Sequence, residues 1–161
     1  MDFHQRLQKA IERGQRASDA RAQAEAERAV TETELHRLHT QYRLELSERI
    51  ERCLRQLVDH FPGFRFETII DERGWGAAIS RDDLQVKRGR ARTNCFSRLE
   101  MAIRPVSAYC VLELAAKATI CNKEVFNRSH YQRLTEVDQT SFHEMIDLWA
   151  LEYAELYAAK T

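Results

Sequence analysis

A run of basic side chains between residues 85 and 104 is the part of this sequence best suited to chemistry. Lysine and arginine bind phosphate groups, and Gly89 would let the backbone turn tightly among them. The run predicts a basic hairpin that contacts an anion or a nucleic acid through Lys87, Arg88, Arg90 and Arg92. Phe96 alone is close enough for base stacking, and the whole chain balances 25 basic against 25 acidic residues. We therefore favour a solvated loop, or a complement to the acidic face formed by Asp147, Glu152 and Glu155, over a nucleic-acid site.

Metal binding has one candidate half-site, in which His36 and His39 follow Glu32 at helical spacing. A zinc site needs a fourth ligand, and none lies nearby. The four cysteines form no C-x-x-C pair and have no histidine at a zinc spacing: Cys53, Cys95, Cys110 and Cys121. We interpret the histidines as the polar flank of a helix–helix contact, and we expect no metal and no cofactor.

Acid–base chemistry could be built only around His130, which lies between a serine and a tyrosine, or around His143 beside Glu144. A catalytic triad needs a nucleophile, a base and an orienting group in hydrogen-bond reach, and no G-x-S-x-G elbow is present. Ser141 and Glu144 fit a capping box at a helix start, with Asp138 as an alternative cap. We therefore expect no catalytic residues and favour a protein that is not an enzyme.

Residues 3–60 predict one long helix. The segment has no proline, one glycine and many strong helix formers. Its second half carries an apolar stripe at steps of three or four residues, which includes Leu35, Leu38, Tyr42, Leu46, Ile50 and Leu57. Such a helix would be about 85 Å long, more than a hundred-residue globule can cover. We expect residues 1–60 to form an extended, coiled-coil-like domain that pairs two chains through this stripe, unless the helix bends near 14–19.

Residues 61–161 predict a small α+β domain. Apolar and polar residues alternate over 64–70, 75–79, 99–103 and 112–120, and less clearly over 124–133, which predicts an antiparallel meander of four to five strands. In the first strand the alternation places Ile70, not Ile69, with Phe64 and Phe66 on one face. Turns are predicted at 71–74 and 82–83, and a helix competes with the strand over 108–121. An amphipathic C-terminal helix packs on the sheet, starting near Ser141.

A ligand cavity between the sheet and the C-terminal helix is the remaining candidate site. Its lining would be aromatic, from Trp75, Trp149, Tyr153 and Tyr157. Aromatic residues at helical spacing more often fill a core, and we favour that interpretation.

The balance of these observations favours a non-enzymatic interaction or scaffold protein that self-associates through its N-terminal helix. The alternatives are a nucleic-acid or phosphate binder that uses residues 87–92, and a ligand-binding protein or enzyme with a cleft between sheet and helix. The first residues lack the apolar core of a secretion signal, and no apolar run reaches about 20 residues. We expect reduced cysteines, a cytoplasmic location, a homodimer with an unidentified protein partner, and no membrane contact.

Overall fold

The computed structural model describes residues 2–85 and 93–160. It confirms the α+β fold class: a long N-terminal helix, a five-stranded antiparallel sheet and a C-terminal helix that packs on the sheet. The elements are α1 (Phe3–His60), β1 (Arg65–Asp71), β2 (Gly74–Gln85), β3 (Thr93–Ile103), β4 (Val111–Ile120), β5 (Lys123–Arg133), a short 3₁₀ helix (Leu134–Glu136) and α2 (Gln139–Lys160).

The five strands form a meander in which each strand pairs with its neighbours in sequence. The predicted turn after Asp71 is confirmed, because β2 starts at Gly74 with a positive φ of 138° that favours glycine. The turn predicted at Asp82 and Asp83 is wrong. Both aspartates lie within β2 and pair with β3, so strand pairing overrides their local turn preference. The segment 108–121 contains a strand, β4, and not a helix.

Contacts divide the chain into two compact units, residues 1–37 and 38–161. The sequence placed this division near residue 60, at the end of α1. The difference arises because the last part of α1 packs into the same core as the sheet, with Leu46, Ile50, Leu54 and Leu57 all buried. Pro62 and Gly63 follow the end of α1 as predicted, and Gly63 has a φ of 104°.

Within residues 38–161, both helices lie on one face of the sheet. A row of directly paired residues on that face runs across the strands: Thr68, Ala77, Met101, Ala116 and Arg128. Thr68, at the β1 end, hydrogen-bonds Glu51 of α1, and Arg128, at the β5 end, forms an ion pair with Glu152 of α2. Helix α1 therefore covers the β1 side of the sheet, and α2 covers the β5 side.

The two helices run parallel across this face. Gln139 at the start of α2 contacts Glu45, Asp147 contacts Arg49, and Tyr157 near the end contacts Phe61. The apolar side chains of α2 complete the core through Phe142, Ile146, Trp149, Ala150, Tyr153 and Tyr157.

The first strand keeps the predicted alternation, in which Phe66 and Ile70 share one face and Ile69 lies on the other. The burial on the two faces differs, because Ile69 is 3% exposed and Ile70 is 72% exposed. Ile69 lies on the face without helices, in a row that continues through Gly76, Ala102, Ala115 and Ser129. The small residues of this row leave space for the isoleucine, whereas Ile70 lies near the end of an edge strand.

The start of α2 also differs from the favoured prediction. The helix begins at Gln139, and the Thr140 amide donates to Asp138 Oδ1 at 3.2 Å. Asp138, the alternative cap, therefore occupies the capping position. Ser141 lies inside the first turn, where its hydroxyl donates to the Asp138 carbonyl oxygen at 3.0 Å.

Candidate interaction surfaces

The predicted oligomerisation stripe splits into two parts in the structure. Leu46, Ile50 and Leu57 are buried in the core of their own chain, and Leu35, Leu38 and Tyr42 are half-buried. An apolar stripe does not reveal whether its cover comes from the same chain or from a second copy. The buried part of the stripe is therefore occupied by the sheet and α2.

The exposed part of α1 lies nearer the N-terminus. Every residue from Asp2 to Glu34 is exposed, and the helix continues through 14–19 without a break. Three large apolar side chains at four-residue spacing share one face of this segment: Phe3, Leu7 and Ile11, exposed by 76%, 45% and 53%. Such a stripe in solvent marks a surface that a partner can cover.

His39, one half of the predicted metal site, has a structural environment. The ring is buried, one ring nitrogen lies 3.0 Å from the Arg104 carbonyl oxygen, and the ring packs edge-on against Trp75. The Arg43 guanidinium lies over the indole ring of Trp75, with its Cζ atom 4.2 Å from the ring centroid. His36 is exposed. Across the described parts of the chain, no three metal-binding side chains come together.

A groove with a volume of about 730 Å³ lies between α1 and α2. Its walls come from the two helices and from Phe61, with Arg49, Arg52, Cys53, Gln56, Leu57 and His60 on one side and Asp147, Ala150, Leu151 and Ala154 on the other. Leu151 is 64% exposed at its edge. The sequence did not predict this groove, because its walls lie almost a hundred residues apart.

A charged cluster crosses one end of the groove. Arg49 donates two hydrogen bonds to Asp147, at 3.2 and 2.7 Å, and the Cys53 thiol donates to the same carboxylate at 3.4 Å. The Arg49 hydrogen bond lowers the pKa of Asp147, and burial followed by the bond to Asp147 raises the pKa of Cys53 to about 11. The thiol is therefore protonated at neutral pH, which makes Cys53 a weak nucleophile.

The predicted acid–base candidate His130 joins β5 to the start of α2. Its Nε2 lies 3.1 Å from the Ser141 hydroxyl, and Gln132 Nε2 donates to the same hydroxyl at 2.8 Å. The side-chain Oε1 of Gln132 in turn accepts from the backbone N–H of Asp138. The orienting partner in this network is an amide and not a carboxylate, so the arrangement serves the helix start better than proton transfer.

Aromatic side chains fill the space between the sheet and α2, where a cavity was the alternative. Tyr153 is 1% exposed, stacks on Tyr157 and donates to the Thr119 carbonyl oxygen at 3.0 Å. Burial raises the pKa of Tyr153. Phe64 and Phe61 pack edge-on against Tyr157. Trp75 lies elsewhere, under His39 and Arg43, so the four predicted lining residues do not meet in one site.

A ladder of ion pairs crosses the face of the sheet that carries no helix. Arg98 binds Glu67 at 2.7 Å and Glu100 at 3.7 Å, and Arg73 binds Glu100 at 3.2 Å and Asp71 at 3.0 Å. The alternating signs neutralise one another, which makes this face polar without giving it a strong net charge.

The basic residues Lys87, Arg88, Arg90 and Arg92 lie outside the described residues, between the paired positions Gln85 and Thr93. Anion or nucleic-acid binding by this run stays a prediction.

The expectation of four reduced cysteines is wrong for one pair. Cys95 and Cys121 form a disulfide with Cα atoms 4.3 Å apart, whereas Cys53 and Cys110 are free. The bond fixes the β4–β5 turn to β3, and Asn122 of that turn exchanges backbone and side-chain hydrogen bonds with Phe96. The pair was missed because strand register, which brings the two residues together, cannot be derived from cysteine spacing.

Comparison of the chain with family models, with curated proteins and with solved structures finds no match. Among the helices that the structure describes, none has the length and apolar character to cross a membrane.

Proposed function

We propose that this protein is a non-enzymatic interaction or scaffold protein that self-associates through the exposed N-terminal part of α1. One observation carries the proposal: residues 3–34 form continuous helix with no buried side chain, while all buried side chains among the described residues lie within residues 38–160. An isolated helix without packing is only marginally stable in water, and a helix partner supplies the missing cover.

The location of the interface differs from the one that the sequence favoured. Leu46, Ile50 and Leu57 are covered within their own chain, so they offer little to a second copy. Phe3, Leu7 and Ile11 remain exposed and carry the proposal instead. Burying a large apolar side chain contributes about 1.5–3 kcal/mol, so three on each of two chains contribute about 9–18 kcal/mol towards an association cost of about 4–15 kcal/mol.

Size-exclusion chromatography with light scattering tests the proposal on the full chain at micromolar concentration. We expect twice the monomer mass for the wild type and a monomer for the double variant Leu7→Gln and Ile11→Gln, which keeps helix propensity and net charge. The matched control changes Gln8 and Gln15 to alanine in the same exposed segment and should stay dimeric. A monomeric wild type would contradict the proposal.

The cytoplasmic location predicted from the sequence stays a prediction. The disulfide between Cys95 and Cys121 favours an oxidising compartment instead, because cytosolic thiols are normally kept reduced. The oxidation state of this pair in the cell therefore decides between the two locations.

A further inference from the structure

The exposed part of α1 has opposite net charges in its two halves. Residues 3–16 carry one acid, Glu12, and four bases, so their net charge is +3; the bases are Arg6, Lys9, Arg13 and Arg16. Residues 17–34 carry two bases and five acids, so their net charge is −3; the acids are Asp19, Glu25, Glu27, Glu32 and Glu34. All of these side chains are exposed.

Side-chain size is segregated in the same way. The basic half carries the large apolar residues Phe3, Leu7 and Ile11. The acidic half has Val30 as its one larger apolar residue and six alanines: Ala17, Ala20, Ala22, Ala24, Ala26 and Ala29. Small side chains allow a neighbouring helix to approach closely, so the alanine-rich half leaves room for the large apolar side chains of the basic half.

We propose that two copies pair antiparallel through residues 3–34, so that the basic, bulky half of each copy lies along the acidic, alanine-rich half of the other. The inference rests on the self-association proposed above and names the orientation of the partner. A two-fold axis near residue 18 makes the contact symmetric, as homodimer interfaces usually are. A parallel pair would instead place +3 against +3, −3 against −3 and the large side chains against one another.

Charge reversal separates the two orientations by the sign of its effect. Arg6→Glu with Arg13→Glu makes the first half acidic, which opposes the acidic partner half in an antiparallel pair and relieves repulsion in a parallel one. Arg21→Glu with Arg28→Glu makes the second half more acidic, which favours an antiparallel pair and opposes a parallel one. We expect the first variant to raise the dimer dissociation constant about fivefold and the second not to raise it, measured by sedimentation at low salt.

Spin-label distances give an independent measurement on the full chain. Labels are placed at Gln5→Cys or at Ser18→Cys, with Cys53 and Cys110 changed to alanine. In the antiparallel pair the two labels at residue 5 lie about 40 Å apart and those at residue 18 lie within about 20 Å. A parallel pair gives short distances at both positions.

The outcomes distinguish the inference from the function that it rests on. A dimer with short distances at residue 5, or with the opposite signs in the charge-reversal series, overturns the antiparallel orientation and leaves self-association standing. A wild type that is monomeric by light scattering overturns both.

Discussion

At the scale of single residues, Asp147 gives the most specific prediction of how the stability of the fold depends on pH. The hydrogen bond from Arg49 holds the pKa of Asp147 below its usual range, so its folded pKa is lower than its unfolded pKa of about 3.9. Such a group stabilises the fold above the unfolded pKa, and this contribution is lost as the pH falls through the folded pKa. The Asp147 side chain is 40% exposed, so we expect Asp147→Asn to cost no more than about 1 kcal/mol at pH 7.

Urea unfolding at pH 7 and at pH 3 measures this effect. The stability difference between the wild type and Asp147→Asn should shrink at the lower pH. Asp59→Asn, at an exposed position of α1, is the matched control and should change stability little at either pH. A difference that persists at pH 3 would show that the carboxylate charge is not the cause.

Residue patterns in the sequence identified local features and missed distant pairs. The end of α1 before Pro62 and the alternation of β4 follow from neighbouring residues, and both are confirmed. The contact of Arg49 with Asp147 joins residues 98 positions apart. No local spacing encodes such a pair, because it depends on how two helices are placed on the sheet.

At the scale of elements, the surroundings of Gly76 show how closely β2 and β3 approach each other. A Cβ atom at this position would overlap the Met101 carbonyl oxygen and come within 2.7 Å of Ala102 Cα. Because both contacts are backbone, the strands must separate to accept alanine. We expect Gly76→Ala to lower the free energy of unfolding by about 2 kcal/mol or more, measured by denaturant unfolding.

Gly14→Ala is the matched control for this substitution. A Cβ atom there meets nothing within 4 Å, and the residue lies inside the exposed helix. Alanine is the better helix former by about 1 kcal/mol, so helicity by circular dichroism should rise. Equal loss of stability in the two variants would contradict the close approach of β2 and β3.

The elements themselves followed from the sequence better than their register did. Periods of 3.6 and of two residues predict α1, α2 and the strands. The same patterns placed a turn inside β2 and did not indicate that Ile69, and not Ile70, is the buried isoleucine of β1. In both places the outcome is decided by pairing with a neighbouring strand and by the small residues opposite.

At the scale of the whole molecule, the buried side chains among the residues that the structure describes run from His39 to Tyr157. A chain that starts at Leu38 therefore keeps all of them. We expect this shortened protein to unfold in one cooperative transition, at a denaturant concentration close to that of the full chain measured at high dilution.

Light scattering on the same shortened protein should give a monomer, since the exposed helix segment is absent. A chain that starts at Phe61 is the contrasting variant. It lacks Leu46, Ile50, Leu54 and Leu57, so it should not give a cooperative transition. Loss of cooperativity in the chain that starts at Leu38 would show that residues 3–37 contribute to the core unit.

The placement of α1 ahead of the sheet that it covers has a consequence for synthesis on the ribosome. Leu57 is translated 76 residues before Arg133, where the last strand ends, which at about 5–20 residues per second is a delay of roughly 4 to 15 s. During that interval the newly made leucine and isoleucine side chains of α1 have no finished sheet to pack on. A nascent chain of this design depends on chaperone contact, or on rapid hairpin formation, more than one refolded from denaturant at full length.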